Sequence, residues 1–257
     1  MGSGPSADRL LAADHQGTVR LISGADATPL GRLPEAIPLI ASLTTHEDGT
    51  VTVLDGHGRL HRRQGAAAAA PTGLLALLDD GPHPVERLLD EVQAHVRGIA
   101  PTALASAGRT IVVADAAGTV HAFDATAGGP RTASLHRGPV TAVAALDLAI
   151  SDDGATVPLL YSGGADGTVR AWAPRTDPLP EPALARPCAV TALAVSATEA
   201  GPVLACAWAD GLVEHHMPDM DVARDFRPGG RVHSLAFTAD GHLVVGTDEA
   251  LVCLSTA

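Results

Sequence analysis

A chain of 257 residues with a formal charge of −12 repels phosphate backbones, which excludes nucleic-acid binding through a broad basic surface. All 17 basic residues are arginine, so Schiff-base chemistry on a lysine and a lysine-bearing phosphate loop are excluded as well. With 46% hydrophobic and 2% aromatic residues the core is built from Ala, Val and Leu, which suits thin, closely spaced layers, and the Ala, Gly and Arg bias reads as GC-rich, bacterial coding.

The opening "MGSGPSADRLL" has no basic region ahead of a long apolar run, and no 18-residue apolar segment follows. Residues 1–8 read as a disordered or tag-like tail, residues 9–257 as one domain, and the expected setting is the cytoplasm with no membrane contact. From Arg9 an apolar segment runs into "HQGTVRLI" (15–22), a tight turn followed by an alternating strand. The same words return as "EDGTVTVL" (47–54), "AAGTVHAF" (116–123), "ADGTVRAW" (165–172) and "ADGLVEHH" (209–216), and more weakly as "TDEALVCL" (247–254). "AAAAAP" (66–71) is a low-complexity connector and "PRTDPLPEPALARP" (174–187) a Pro-rich loop.

Between the second and third copies, "DDGPHPVERLLD" (79–90) supports two readings. Val85, Leu88, Leu89, Val92 and Val96 fall on one helical stripe behind Pro84. Yet a key valine recurs at Val19, Val51, Val85, Val120, Val169, Val213 and Val252, and omitting Val85 leaves one gap about twice the others. That register favours a degenerate seventh repeat over a surface helix. Ahead of the later hairpins, "HVRGIAPTALAS" (95–106), "LHRGPVTAVAAL" (135–146), "ARPCAVTALAVS" (185–196) and "PGGRVHSLAFT" (228–238) each place a turn before an apolar strand. Four short strands per roughly 40 residues is the period of a β-propeller.

These words and this period resemble the WD-repeat β-propellers over nearly the whole chain, most strongly from about residue 99 onward. The resemblance implies an all-β fold: a single propeller of seven blades, each a four-stranded antiparallel sheet, with six blades plus an inserted helix as the alternative. It also implies a hydrogen-bonded network bracing a blade, which His136, Ser162, Asp166 and Trp172 would form here. A Ser-His-Asp nucleophilic reading of the first three is set aside, because the same positions repeat elsewhere in structural roles, and no catalytic residue is assigned. There is little room for an innermost strand ahead of Arg9, and the last repeat stops after its third strand. Compressed first repeats, an N-terminal outer strand, or strand exchange with another chain would each close the ring.

If the scaffold occupies the repeated positions, function falls to the positions that it leaves free. At the mouth of the channel these are Asp14, His15, His46, Glu47, Asp115, Trp208, Thr247 and Asp248, an acidic rim with Trp208 as an aromatic anchor for a protein or peptide partner, a cationic one included. The twelve histidines show no zinc spacing, and adjacent His215 and His216 point to opposite faces of a strand, so neither metal nor cofactor is expected. Cys188, Cys206 and Cys253 lack paired spacing and suit a reducing compartment. The leading expectation is a non-enzymatic interaction scaffold. A propeller lyase or hydrolase with a His or metal site at the channel, and a sensor or regulatory subunit of a bacterial assembly, stand as alternatives.

Overall fold

The computed structural model describes residues 9–23, 28–33, 35–46, 50–64, 84–125, 129–150, 154–198, 200–218 and 222–255. The 1–8 tail, the 66–71 connector, Glu47, Asp48 and the 79–83 turn lie outside the described residues. No helix among the described residues is long and apolar enough to cross a membrane.

Among the described residues six antiparallel sheets follow one another along the chain. The first holds β1 (Arg9–Ala13), β2 (Val19–Ser23) and β3 (Pro29–Arg32); the second β4 (Ile40–Thr45), β5 (Thr50–Asp55) and β6 (Leu60–Gln64). A helix, α1 (Pro84–Val96), comes next. The third sheet is β7 (Pro101–Ala107), β8 (Thr110–Asp115), β9 (Thr119–Asp124) and β10 (Arg131–Ser134). The fourth is β11 (Val140–Ala149), β12 (Thr156–Gly164), β13 (Thr168–Trp172) and β14 (Leu184–Ala185). The fifth is β15 (Val190–Thr198), β16 (Gly201–Trp208), β17 (Val213–Met217) and β18 (Val222–Phe226), and the sixth β19 (Val232–Phe237), β20 (Leu243–Thr247) and β21 (Leu251–Leu254).

Each apolar cluster lies between two consecutive sheets, which explains strands that are buried along their whole length. In β8, Ile111 and Val113 face α1 and the second sheet, whereas Val112 and Ala114 face Leu160 and Trp172 of the fourth. Tyr161 and Val169 meet Leu204, Cys206 and Trp208 between the fourth and fifth sheets, and Ala205 and Val213 meet Leu243 and Val245 between the fifth and sixth. Because side chains alternate along a strand, a blade packed on both sides must be apolar at odd and even positions alike. The Ala-rich composition keeps these layers thin.

The stripe on α1 is a helical stripe in fact: Leu88, Leu89, Val92 and Val96 are buried against Leu54, Ile111, Val113 and Phe123. Among the described residues the architecture is thus six sheets plus an inserted helix, and the preference for a degenerate blade at Val85 is corrected. The register argument failed for a traceable reason. "EDGTVTVL" spans the first hairpin of its blade, since Val51 sits on β5 opposite Thr45 of β4. The counterpart of Val19, Val120, Val169, Val213 and Val252 is Leu60, five residues after Asp55, just as Val120 is five after Asp115. With Leu60 in place, the 60 residues to Val120 are the gap that the helix fills.

The inner strands β4, β7, β11, β15 and β19 stand side by side. Seams between them carry polar ties: Ser42 Oγ donates to the Leu104 carbonyl at 3.0 Å and accepts from the Leu104 N–H at 3.1 Å. β1 occupies the place of β8, the second strand of its blade, because Gly17 abuts the Ile37 carbonyl as Gly118 abuts that of His136. Among the described residues the first sheet therefore has no innermost strand and the sixth no outermost one.

Candidate interaction face

One end of the sheets gathers every turn between a second and third strand together with the loops that enter the next blade. The turn at Gly58 packs on Pro101 at the head of β7, and the turn at Asp166 meets His136 from the loop ahead of β11. Gly118 shows how tight this junction is: its φ is +92°, and a Cβ there would collide with the His136 carbonyl.

At that end all five inner strands break register at the same place. The shift falls between Ile40 and Ser42, Pro101 and Ala103, Val140 and Ala142, Val190 and Ala192, and Val232 and Ser234. Each bulge leaves one residue out of the ladder: Ala41, Thr102, Thr141, Thr191 and His233. Thr102 Oγ1 donates to the Ala114 carbonyl at 3.2 Å and Thr141 Oγ1 to that of Gly163 at 3.0 Å. Thr191 Oγ1 is buried without a hydrogen-bond partner.

Of the eight rim positions predicted from the turns, Glu47 lies outside the described residues, and six of the other seven, all but His15, resolve into braces. Asp115 is buried; its Oδ1 accepts from the N–H groups of Ala117 and Thr119 at 2.9 Å each, and its Oδ2 meets His121 Nε2 at 3.0 Å. Burial pushes this carboxyl upward, but the His121 contact and the two N–H donors outweigh it and hold the pKa below the usual value. Asp14 repeats the arrangement in a more exposed form, with Gln16 and Thr18 donating to Oδ1 and Arg20 lying 3.7 Å away. Asp55, absent from the predicted set, repeats it again with His57, Arg59 and, at 2.7 Å, His61. A signal was present: Asp followed six residues later by Arg or His, in "DHQGTVR", "DGHGRLH" and "DAAGTVH".

Trp208 is a correction. It has no solvent exposure; its indole donates to Glu214 Oε2 at 2.7 Å, and Arg186 covers the ring with its guanidinium carbon 5.7 Å from the centroid. The anchor expected at the rim is core, packed in one cluster with Tyr161, Val169, Val190, Leu204 and Leu212. His46 is likewise buried, its Nε2 2.8 Å from Thr52 Oγ1. Thr247 binds its own turn through the Ala250 N–H, and exposed Asp248 pairs with His233. His15 is exposed.

Nor is the rim a field of free carboxylates. Asp210 lies 3.1 Å from both Arg186 and Arg227. Asp248 accepts from the Arg231 N–H. Arg137 and Arg231, both exposed, make no side-chain ion pair among the described residues.

Asp166, Ser162 and His136 form the expected network. Ser162 Oγ lies 2.8 Å from His136 Nε2, and His136 Nδ1 lies 3.1 Å from Asp166 Oδ1, which also accepts from Thr168 Oγ1 at 2.8 Å. The Arg137 N–H donates to Asp166 Oδ2, and although burial opposes it, these donors lower the Asp166 pKa to about 2. Burial holds His136 below the usual imidazole value, so the neutral ring donates from Nδ1 to the carboxylate and accepts from the Ser162 hydroxyl. The order Ser-His-Asp copies a hydrolase triad, yet Ser162 is 1% exposed and the His136 side chain 0%, which closes the hydroxyl to an acyl substrate. Trp172 stands apart from this network and donates to the Thr176 carbonyl at 2.9 Å. No group of three metal-ligating side chains occurs among the described residues.

Comparison with known proteins agrees with this geometry. The family described as WD domain, G-beta repeat, matches residues 130–173, the blade that carries the complete network. No curated protein matches the chain in sequence. Among solved structures the chain is similar to one of U3-55K, at 14% identity and a TM-score of 0.54, covering 93% of this chain and 85% of that one. It is similar also to the WD40 repeats of RRP9, at 14% identity and a TM-score of 0.55, covering 93% and 84%. One blade thus matches the WD domain in sequence, and the chain as a whole shares the fold of solved WD40 propellers.

Proposed function

We propose that this propeller is a non-catalytic scaffold that holds a protein segment across the end bearing the five bulges. The observation that carries the reading is the repetition of the bulge. Blade packing does not require it, and it takes Thr102, Thr141, Thr191 and His233 out of the ladder beside the turn residues of the same end. Arg137 and Arg231 supply exposed cations that make no side-chain ion pair among the described residues, although Asp248 lies in the field of Arg231, whereas Asp115, Asp166 and Asp210 are engaged within the blades. This favours a segment of mixed charge with carboxylates for these arginines over a purely cationic one. Three free cysteines support a reducing, cytoplasmic setting.

Selection of peptides from a random library on the purified chain tests the proposal. Selected peptides should lose affinity about tenfold or more for an Arg137→Glu, Arg231→Glu double variant, the scale of a lost charge-assisted contact and a new repulsion. Peptides indifferent to that variant and to Thr141→Arg would place the binding surface elsewhere.

A further inference from the structure

The inserted helix is tied to the third blade by a contact that extends the Asp115–His121 brace. Asp115 Oδ2 lies 3.0 Å from His121 Nε2, and His121 Nδ1 lies 3.1 Å from Nε2 of His95, in the last turn of α1. The two imidazoles meet edge to face with centroids 4.7 Å apart, and His95 packs edge to face on Phe123 at 5.2 Å. Asp115 and His121 are buried, and His95 is half-buried. Gln93 makes a further polar contact from the helix, accepting the Leu60 N–H at 3.1 Å.

The proton inventory of this relay is limited. The Asp115 carboxylate accepts only, so His121 Nε2 carries a hydrogen. With both rings neutral, His95 donates from Nε2 to the bare Nδ1 of His121. One added proton leaves the contact intact in either direction, because only one of the two facing nitrogens, His121 Nδ1 or His95 Nε2, then has to carry a hydrogen. A second proton leaves two N–H groups facing each other across 3.1 Å, and two cations side by side.

We infer that α1 is an acid-released clasp on the third blade, docked while the His95–His121 pair lacks a proton on one of its two facing nitrogens and released when both rings are cations. Release would uncover Ile111, Val113 and Phe123, an apolar strip on a blade face. The charges around His95 are Glu91 from α1 and Asp115 from β8, which favour its cation, and His121 from β9, which opposes it. Burial, with His121, lowers the His95 pKa below the usual imidazole value. The docked state is therefore at full strength above about pH 6.5 and weakens as the pH falls below that toward the lowered value.

Hydrogen exchange read by mass spectrometry on the full chain, between about pH 7.5 and 5 and corrected for intrinsic rates, tests this. Protection of 84–96 should fall, approaching tenfold per pH unit in the acidic part of the range, while 159–172 in the fourth blade keeps its protection. A His95→Gln variant, which can still donate to His121 but takes up no proton, should remove the pH dependence of the helix. The inference is overturned if α1 stays protected throughout, if both regions open together, or if the variant opens with the wild-type pH profile.

Discussion

Trp208 and Glu214 meet through a 2.7 Å hydrogen bond at the two positions of the fifth blade that Asp115 and His121 occupy in the third. Donor and acceptor have changed places along the hairpin, and the brace between the end of the second strand and the third strand remains. Trp208→Ala should therefore act on folding. Losing a fully buried indole costs about 3–5 kcal/mol, and denaturant melts should show that loss before any binding assay does. A folded, fully stable Trp208→Ala variant would refute the assignment of this ring to the core.

Asp166 gives the fourth blade a dependence on acid. Its pKa is lowered from 3.8 to about 2, so its contribution is complete above about pH 4 and is lost as the pH falls through the lowered value. The shift is worth about 2 kcal/mol at neutral pH. Asp166→Asn should lower stability by that order at pH 7 in urea melts, and the difference from wild type should shrink near pH 2. A difference independent of pH would mean that the carboxylate charge does not brace the blade.

Two glycines separate backbone conformation from crowding. Gly118 and Gly129 have φ values of +92° and +86°, but a Cβ would strike the His136 carbonyl only at Gly118 and meets nothing within 4 Å at Gly129. Alanine at Gly129 should cost about 1 kcal/mol, the penalty for φ above zero, and alanine at Gly118 clearly more. Equal melting temperatures for the two variants would contradict the close approach of turn and loop.

The cysteines should differ in reactivity. Cys206 is fully buried, and that burial raises its thiol pKa, whereas Cys253 lies exposed on β21. Iodoacetamide at neutral pH should label Cys253 in the native chain and Cys206 only after denaturation, as peptide mapping would record. Native labelling of Cys206 would mean that the seam between the fourth and fifth sheets opens.

Much of the architecture was legible from a few repeated words. "ADGTVRAW" carries its own turn, strand and network, and His136, Ser162 and Asp166 meet as the resemblance implied. Trp172 does not join them because its indole finds the Thr176 carbonyl within the same blade. The second blade misled because "EDGTVTVL" imitates the repeat at the wrong hairpin, while the real turn, "DGHGRLH", lacks the Gly-Thr-Val core. Trp208 illustrates a different limit. Position in a turn motif gives an address along the strand but not the depth of the core beneath it, and that depth is set by side chains contributed by the neighbouring fourth sheet.

The five bulges separate two kinds of inheritance. Below each bulge side chains alternate between the two neighbouring blades, so successive residues answer to different partners. Ala41, Thr102, Thr141, Thr191 and His233 sit at one shared level outside the ladder; three of them are threonine, and the second and sixth sheets carry alanine and histidine there instead. Variation at these five positions is the cheapest route by which one propeller could drift toward a new partner without renegotiating its core.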